Sequence, residues 1–362
     1  MSELTPESFR KARFNWTLEN QGGGTVEIDL TEEQAAGFTQ PQRLIIRGER
    51  DWAGEILNLK RSGKPNEIGL PGSTVGWTAS GIGLFHRLDY RIVRHDLAIN
   101  DTADVIVEAL LSEAQDNQFN GGMGMQMGSV SGTPYSRNRS YCVGVNIGDA
   151  IRELADQGRG FDHEIDADGN LNIWYGSRGV DTGRTLSETQ CQSFDIELDT
   201  SELLTQVTAI ADPSDPFGPR FHMSNIFENG HFLAFFYGRR EVAIDTDIIA
   251  NTHNNPDWED ELRAAGHGLL KQYRGGALTL HAMWTSNKAP WSMGDVWLGD
   301  IVSVELPDVF GGTQDMRVTD VTVTLEAMPP RGAQPPVYWI EYNFDALVTD
   351  LAVIDEDLDE AS

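Results

Sequence analysis

The sequence has few cysteines, few basic residues and no long apolar run. Its two cysteines, Cys142 and Cys191, form neither a CxxC motif nor a cluster with histidine, which excludes a disulfide framework and a cysteine-based zinc site. We interpret both as free thiols of a chain made in a reducing cytosol. No segment approaches the ~18 apolar residues of a membrane span, and residues 1–6 lack the basic and apolar regions of a signal peptide. These absences predict a soluble protein that is not exported.

The charge balance is strongly acidic. The 362 residues include 27 Lys and Arg against 56 Asp and Glu, for a formal net charge of −29. Proteins bind nucleic acid by placing Lys and Arg on phosphates and displacing counterions, so this surface argues against sequence-specific nucleic-acid binding. Two interpretations stay open. The acidity keeps the protein in solution, or it lets the surface lie close to DNA without binding it.

The composition is otherwise that of a globular protein, with 40% hydrophobic and 23% charged residues, and the length suits about two or three domains. Short alternating segments with frequent glycine predict strands between residues 13 and 59 and near 74–80. Such strands favour a barrel or a sandwich. The strand–turn–strand pattern of Arg43–Leu59 recurs at Ile301–Leu325. A duplicated barrel and a chance recurrence of hairpins both explain it.

The middle of the chain mixes helices and strands, which predicts an α+β domain over residues 96–197. Helical spacing predicts helices over 102–115 and 147–157, with Asn146 as N-cap of the second. Between them, residues 121–134 are rich in glycine and methionine, which predicts a flexible loop. Its Met123, Met125 and Met127 either pack against a partner or face solvent. A hairpin is predicted at 161–175.

The last third returns to strands, interrupted by one long helix. Asn255 is a good N-cap and Pro256 suits the first turn, so we predict a helix over 256–274 with Trp258, Leu262 and Leu269 on its buried stripe. Strands are predicted at 277–285, 301–306, 316–326 and 337–344. The last residues, 349–362, form an acidic and frayed tail.

Residues 162–175 contain the segment that most resembles a metal site. An EF-hand loop starting at Glu164 has Asp166, Asp168 and Gly169 in suitable places. Its twelfth position is Tyr175, which cannot supply a bidentate carboxylate, and its flanks alternate as strands do. We therefore predict a hairpin turn rather than a calcium site.

The catalytic motifs tested in the sequence are absent. No HExxH, GxSxG, P-loop or GxGxxG motif is present. The acids Asp257, Glu259 and Glu261 suit the first turn of a helix, where the dipole favours them, better than glycoside hydrolysis. The histidines are assigned to the surface or to satisfied core positions, and they are His86, His95, His163, His222, His231, His253, His267 and His281. We predict no catalytic, cofactor-binding or metal-binding residue and no cofactor.

Tryptophan is plentiful, and sugar-binding surfaces often use it. In alternating strands, however, its large rings are more often anchors of a core or of a subunit interface. The residues concerned are Trp174, Trp258, Trp284, Trp291, Trp297 and Trp339.

Four segments, taken in order, resemble the tail-hub family of siphophages and myophages, including minor tail proteins of actinobacterial phages. The first, Trp77–Val93, resembles the family's strand, glycine and Leu-rich turn. The second is the pair of predicted helices followed by Phe161–Ile173, with its Asp-Gly turn. The third is Phe194–Ala209, which resembles a return strand. The fourth is Trp297–Val302 with Arg317–Val321, which resembles a closing "GDxV … RVxxV" barrel.

The resemblance covers residues 13–346, and the third segment departs from the family pattern. Thr205 and Gln206 replace its usual polar pair, and Asp212 stands where the family has glycine. The family implies a ring of subunits, commonly a homotrimer, built from two tube-like β-barrels with inserted α+β domains. It implies a structural virion protein of the tail tip or baseplate, assembled in the host cytoplasm, and no catalytic residues.

The same resemblance gives the expected organisation and partners. Residues 1–95 form a first barrel, completed by a return strand near 198–212. Residues 96–197 are the inserted α+β domain, 198–348 a second barrel with the long helix, and 349–362 the tail. Partners are further copies of the chain and neighbouring tail proteins, such as the distal tail and tape measure proteins. DNA passes through during genome ejection without specific binding.

The resemblance suggests a role for the acidic residues, which is to line a channel and repel the DNA that slides through it. The acids that alternate with apolar residues in strands, and that could face the lumen, are Glu27, Asp29, Glu55, Glu305 and Asp320. The alternatives are a tail-associated cell-wall hydrolase, which releases fragments from peptidoglycan, and a carbohydrate-binding tip protein, which displays Trp-rich strands on an open face.

Overall fold

The fold was obtained as a computed structural model. The structure describes residues 11–18, 25–30, 35–36, 42–46, 51–62, 76–115, 123–156, 160–176, 178–199, 204–213, 220–226, 239–250, 258–273, 277–292, 294–307, 312–326 and 338–346. The predicted fold class, mainly β with an inserted α+β region, is confirmed.

The first described part of the chain consists of strands. They are β1 Lys11–Thr17, β2 Thr25–Leu30, β3 Gln42–Ile46, β4 Trp52–Ser62 and β5 Gly76–Gly83. Burial alternates along β1 and β2. A 3₁₀ helix, Leu84–Tyr90, then buries Leu84, Phe85 and Leu88. It leads the chain out of the strands and into the next region.

The middle region is the α+β unit, residues 84–176. Its elements are β6 Leu97–Thr102, α1 Ala103–Ala114, β7 Gln126–Ser131, β8 Ser136–Tyr141, α2 Ile147–Ala155, β9 Phe161–Ile165 and β10 Asn170–Tyr175. Both predicted helices and the hairpin are confirmed. The Asn146 side chain accepts a hydrogen bond from the Asp149 backbone N–H, so the predicted cap is confirmed as well.

The rest of the chain leaves the sheet once and returns to it. After β11 Asp181–Ser187, a short 3₁₀ helix and β12 Ser193–Asp199 comes the helix unit, residues 204–273. It contains β13 Gln206–Pro213, β14 Phe221–Ile226, β15 Glu241–Ala250 and α3 Trp258–Tyr273. The last strands are β16 Ala277–Thr285, β17 Ile301–Glu305, β18 Thr313–Glu326 and β19 Tyr338–Ala346.

One long sheet joins the two ends of the chain. Its strands follow the order β12-β16-β19-β18-β1-β2-β5-β4-β3, and β17 pairs with both β18 and β11. The strands of the two predicted barrels therefore lie side by side, because β1 pairs along its whole length with β18. A single core lies against this sheet and contains Phe14, Trp52, Trp284 and Tyr342.

The return strand predicted near 198–212 has different neighbours from those expected. Among the described residues, Gln206–Pro213 pairs with Phe221–Ile226 and Glu241–Ala250, not with the strands of the first predicted barrel. Its buried Val207, Ala209 and Ala211 pack against the α3 side of the helix unit. The division of the chain into domains stays a prediction.

The glycine- and methionine-rich segment was wrongly predicted to be a loop throughout. Within its described part, Gln126–Ser131 forms β7, which pairs in parallel with β10. Met123 and Met125 are buried in the core of the α+β unit. The alternation of Gly with Met predicts mobility locally, but burial of the thioether side chains in this core decides the structure.

Candidate functional site: the polar face of the long sheet

The long sheet has one face on the core and one polar face. In β1, Ala12, Phe14 and Trp16 are buried, whereas the residues between them are exposed or half-buried. Successive side chains of a strand point to opposite faces. The polar residues of β1 therefore lie together on the face that turns away from the core.

Strand register extends this face from β12 to β5. Arg13 lies opposite Glu27 and Thr324, and Asp320 lies opposite both Thr17 and Asn343. We define the polar face by the polar and charged residues with described side chains that the register places there, which are Ser193, Asp195, Glu197, Thr279, His281, Thr285, Glu341, Asn343, Asp345, Arg317, Asp320, Thr322, Thr324, Lys11, Arg13, Asn15, Thr17, Thr25, Glu27, Asp29, Thr78 and Ser80. Carboxylates outnumber lysine and arginine on it.

Two of the basic groups on the polar face, Arg13 and His281, lie against its carboxylates. Arg13 donates to Glu341 Oε2 at 3.2 Å. His281 lies between two carboxylates, with Nδ1 3.7 Å from Asp195 and Nε2 3.7 Å from Glu341. These contacts reduce the positive charge that the face offers to an approaching anion.

Asp320 is a half-buried carboxylate of this face. It follows an irregularity in the pairing of β18 with β19 between Val318 and Asp320. Burial raises the pKa of its carboxyl group, and hydrogen bonds from Thr17, Asn15 and Asn343 oppose that shift. The group is thus held in place by neutral donors rather than by an ion pair.

Three of the five acids predicted to line a channel lie on the polar face, namely Glu27, Asp29 and Asp320. Asp29 accepts a hydrogen bond from the Thr78 hydroxyl at 3.1 Å. Glu305 is exposed at the end of β17, on the branch of the sheet.

Glu55 does not act as a free carboxylate. It binds the Arg87 guanidinium, and His86 Nε2 lies 3.1 Å from it. Both partners come from the 3₁₀ helix that follows β5. No sequence pattern predicts this contact, because the partner residues are 31 and 32 positions further along the chain. Glu55 on β4 is therefore a structural residue that binds the first helix of the α+β unit.

The tryptophans form core contacts. Trp258, Trp284, Trp291 and Trp297 are buried, and Trp284 stacks on Tyr342 with ring centroids 5.0 Å apart. The core interpretation is confirmed for these four.

The other two tryptophans are half-buried. The guanidinium of Arg178 lies over the ring of Trp174 at 4.8 Å. Trp339 lies in β19, where the register places it opposite Thr285 and Thr324. The rings that pack in the core are covered by other residues. These strands therefore do not present an open tryptophan surface of the kind that stacks on sugars.

The segment that resembles a calcium loop is a hairpin turn between β9 and β10. The Asp166 side chain accepts hydrogen bonds from the backbone N–H groups of Asp168 and Asn170, each at 2.9 Å. These bonds lower the pKa of the Asp166 carboxyl although burial opposes them. Tyr175 Oη donates to Asp104 at 2.8 Å. Among the described residues no group of acids, histidines and cysteines has the geometry of a metal site.

The histidines with described side chains do not converge. His95 is exposed beside Glu113, and His281 belongs to the polar face. Burial lowers the pKa of His267. His231 and His253 lie outside the described residues, and the side chain of His222 is likewise not described.

His163 is buried between Phe85 and Phe161, with ring centroids 5.0 and 6.0 Å away. Its Nε2 has no hydrogen-bond partner in the structure. Burial, with the nearby Arg152 charge, lowers its pKa to about 4. The expectation that core histidines would be satisfied is therefore wrong for this residue.

The prediction of free thiols is confirmed for both cysteines. Cys142 is exposed and Cys191 is half-buried. Burial, aided by the Glu188 charge, raises the pKa of the Cys191 thiol to about 11. Of the acids weighed for glycoside hydrolysis, Asp257 lies outside the described residues, Glu259 is exposed, and Glu261 binds the buried Arg139.

An ion pair that the sequence did not reveal fastens the α+β unit to the long sheet, because Arg317 on β18 binds Asp162 on β9. Arg178, which lies between the α+β unit and β11, binds Glu164 on the same strand β9. Beside them, the backbone of Gly179 approaches that of Gly299 so closely that a Cβ at Gly179 would lie 2.0 Å from the Gly299 carbonyl. A cleft of about 220 Å³ lies at this junction, lined by Asp51 and Trp52 on one side and Glu164 and Asp168 on the other.

The described architecture is that of phage tail proteins. A tail protein of Neisseria meningitidis aligns with a TM-score of 0.56 and 14% identity, over 93% of this chain and 92% of that one. The 43 kDa tail protein of prophage MuSo2 from Shewanella oneidensis aligns with a TM-score of 0.58 and 13% identity, over 92% and 94%. Prophage tail protein gp18 of Listeria monocytogenes aligns with a TM-score of 0.55 and 12% identity, over 99% and 94%.

The predicted resemblance to phage tail proteins is thus confirmed at the level of the fold. Neither the protein-family models nor the curated proteins include a match to the sequence. Within the part of the chain that the structure describes, no helix has the length and apolar character needed to cross a membrane.

Proposed function

We propose that this chain is a structural, non-enzymatic subunit of a phage-type tail, in the hub that joins the tail tube to the tip or baseplate. The observation that carries the proposal is the agreement in fold with three tail proteins over more than nine tenths of both chains. A protein in this position is a component of the virion, where its function depends on the surfaces it presents rather than on reacting groups.

The polar face of the long sheet is proposed to line the channel through which DNA leaves. Its carboxylates include Glu27, Asp29 and Asp320, and its basic groups Arg13 and His281 are engaged by neighbouring acids. Fixed negative charge along a narrow passage repels phosphates. Because binding would need free cations to release counterions, DNA would pass without being held.

The proposed assembly is a ring of copies of this chain, a homotrimer, that contacts the distal tail and tape measure proteins. The long sheet supports this ring assembly. It contains strands from both ends of the chain and so forms one continuous surface, which further copies can extend around an axis. Repeated head-to-tail contacts give a closed ring when the rotation between copies closes.

Neither alternative function is favoured by a specific observation. A carbohydrate-binding tip needs accessible tryptophan faces, and four of the six rings considered are buried. A cell-wall hydrolase needs a pair of placed catalytic groups. The acids considered for that role, Glu259 and Glu261, lie in the first turn of α3, where Glu261 binds Arg139.

Assembly of the purified chain tests the ring. Native mass spectrometry and electron microscopy should show a closed oligomer of three copies, by itself or with neighbouring tail proteins. A strict monomer under all conditions, joined to the capture of glycans on an array, would contradict the hub proposal and favour the carbohydrate-binding alternative.

The proposal that the polar face lines the DNA channel is tested by reversing charge on that face. In assembled particles, Glu27→Lys with Asp29→Lys should slow or stop genome release, because cations on the face would bind phosphates. Glu108→Lys with Asp149→Lys makes the same change of charge at exposed positions of α1 and α2 and serves as the matched control. Equal release from both variants would contradict a channel role for this face.

A further inference from the structure

The long sheet has an unpaired strand edge at each end. At one end, β12 pairs with β16 alone among the described strands; we call Ser193–Asp199 the β12 edge. At the other end, β3 pairs with β4 only from Trp52 to Ile56, so among the described residues no strand lies on the outer side of Leu57–Ser62, which we call the β4 edge. An unpaired edge presents backbone N–H and C=O groups to which another strand can bind.

The two edges carry charges of opposite sign. On the β4 edge, Lys60 and Arg61 are exposed, and no acid follows Glu55 in this strand. On the β12 edge, Asp195 and Glu197 are exposed, and β12 contains no basic residue. A basic edge is unusual in a chain with a formal net charge of −29. Between two copies of this chain, like edges therefore repel each other and unlike edges attract.

The side chains of the two edges also match face by face. Lys60 lies opposite Thr78 of the polar face, to which Glu197 also belongs. Leu59 and Ile196 turn to the other side, where each is half-buried against the core of the long sheet. Residues opposite one another in paired strands point to the same face. Pairing of the two edges therefore places Lys60 among acids on the polar side and Leu59 among apolar side chains on the core side.

The directions of the strands suit a ring. Each neighbouring pair on the path β12-β16-β19-β18-β1-β2-β5-β4 is antiparallel, so β4 runs opposite to β12. A rotation about an axis along the strands leaves these directions unchanged. The β4 edge of one copy then meets the β12 edge of the next copy as an antiparallel pair, as at every other step of this path.

We propose that the β4 edge of one copy binds the β12 edge of a second copy by strand addition, with Lys60 paired to Asp195 or Glu197 across the contact. The inference rests on the proposed ring and names the two surfaces that join its subunits. Repulsion between like edges disfavours a two-fold pairing through one kind of edge. A head-to-tail contact that repeats gives a ring when the rotation closes, and the polar faces of the copies then form one continuous lining.

Charge reversal and its compensation test this contact in the purified full-length chain. Lys60→Glu and Glu197→Lys each place like charges across the contact, and each should raise the apparent dissociation constant of the oligomer by about tenfold or more. The double variant exchanges the two charges and should restore much of the assembly. Lys288→Glu and Glu108→Lys are the matched controls, because they make the same changes at exposed positions outside both edges. Both controls should assemble as the parent chain does.

Sedimentation velocity over a series of concentrations measures the assembly, and far-UV circular dichroism establishes that each variant is folded. Assembly of both single variants equal to that of the parent would overturn the proposal, as would an equal weakening in the controls. A folded double variant that assembles no better than the single variants would overturn it too. A parent chain that stays monomeric at every concentration contradicts this contact, whereas the hub proposal is decided separately by where the chain lies in a particle.

Discussion

Arg317 on β18 binds Asp162 on β9, although 155 positions separate them in the chain. The Arg317 side chain is 23% exposed and that of Asp162 15% exposed, so the pair is largely shielded from water. It ties the α+β unit to the long sheet at the point where the chain returns to that sheet.

Breaking this pair should destabilise the protein. Arg317→Ala leaves the Asp162 carboxylate with less compensation, and the expected loss in free energy of unfolding is about 1–3 kcal/mol. Urea denaturation followed by circular dichroism measures it. Arg184→Ala is the control, because its pair with Asp295 is about half exposed on both sides and should contribute about 0–1 kcal/mol. Equal losses in the two variants would contradict the role given to Arg317.

The close approach of Gly179 to Gly299 predicts a second effect on stability. In Gly179→Ala the new methyl group would meet the Gly299 backbone, so β11 and β17 must shift apart, at an expected cost of about 1–3 kcal/mol. Gly294→Ala, where nothing lies within 4 Å of the added Cβ, should be close to neutral. Thermal unfolding distinguishes them, and a neutral Gly179→Ala would show that the junction is looser than described.

His163 predicts a pH dependence of stability. Its pKa is about 4 in the folded protein against an ordinary value near 6.5, so the unfolded chain takes up the proton first as pH falls. The stability contributed by neutral His163 is fully present above about pH 6.5 and is lost as pH falls towards 4. The slope attributable to His163 approaches about 1.4 kcal/mol per pH unit.

Replacing that side chain removes the slope. In His163→Leu, urea denaturation at pH 7, 6 and 5 should show a weaker fall in the free energy of unfolding than in the parent protein. Identical slopes would mean that other groups account for the acid sensitivity.

Absence of cell-wall hydrolysis is a further prediction. Purified protein incubated with peptidoglycan should release no more soluble fragments than heat-denatured protein, because neither the hairpin at Asp166 nor the first turn of α3 presents a free pair of catalytic carboxylates. Release that depends on the folded protein, and that Glu259→Gln abolishes, would contradict the structural role.

Local signals in the sequence predicted the elements well. Helix α2 begins where Asn146 caps it, and the Asp166 turn follows from Asx chemistry that is read within a few residues. Strand alternation likewise separated Glu27 and Asp29 from the buried Val26 and Ile28.

Long-range contacts were beyond such signals. The pairing of β1 with β18, the contact of Glu55 with Arg87 and the contact of Glu261 with Arg139 all join distant parts of the chain. Charge alone does not predict which of the many acidic residues each arginine binds. The prediction of a loop around Met123 and Met125 failed for a related reason. Only the tertiary packing of α1 and β10 makes this Gly-rich segment part of a core.

The most direct test of the central claim is to locate the chain in a particle. Electron microscopy of tailed particles that carry this chain with a fused label should show the label at the distal end of the tail, in a ring around the axis. Intact tails that lack the label, or a label confined to the head or to material outside the particles, would contradict a hub at the tail tip.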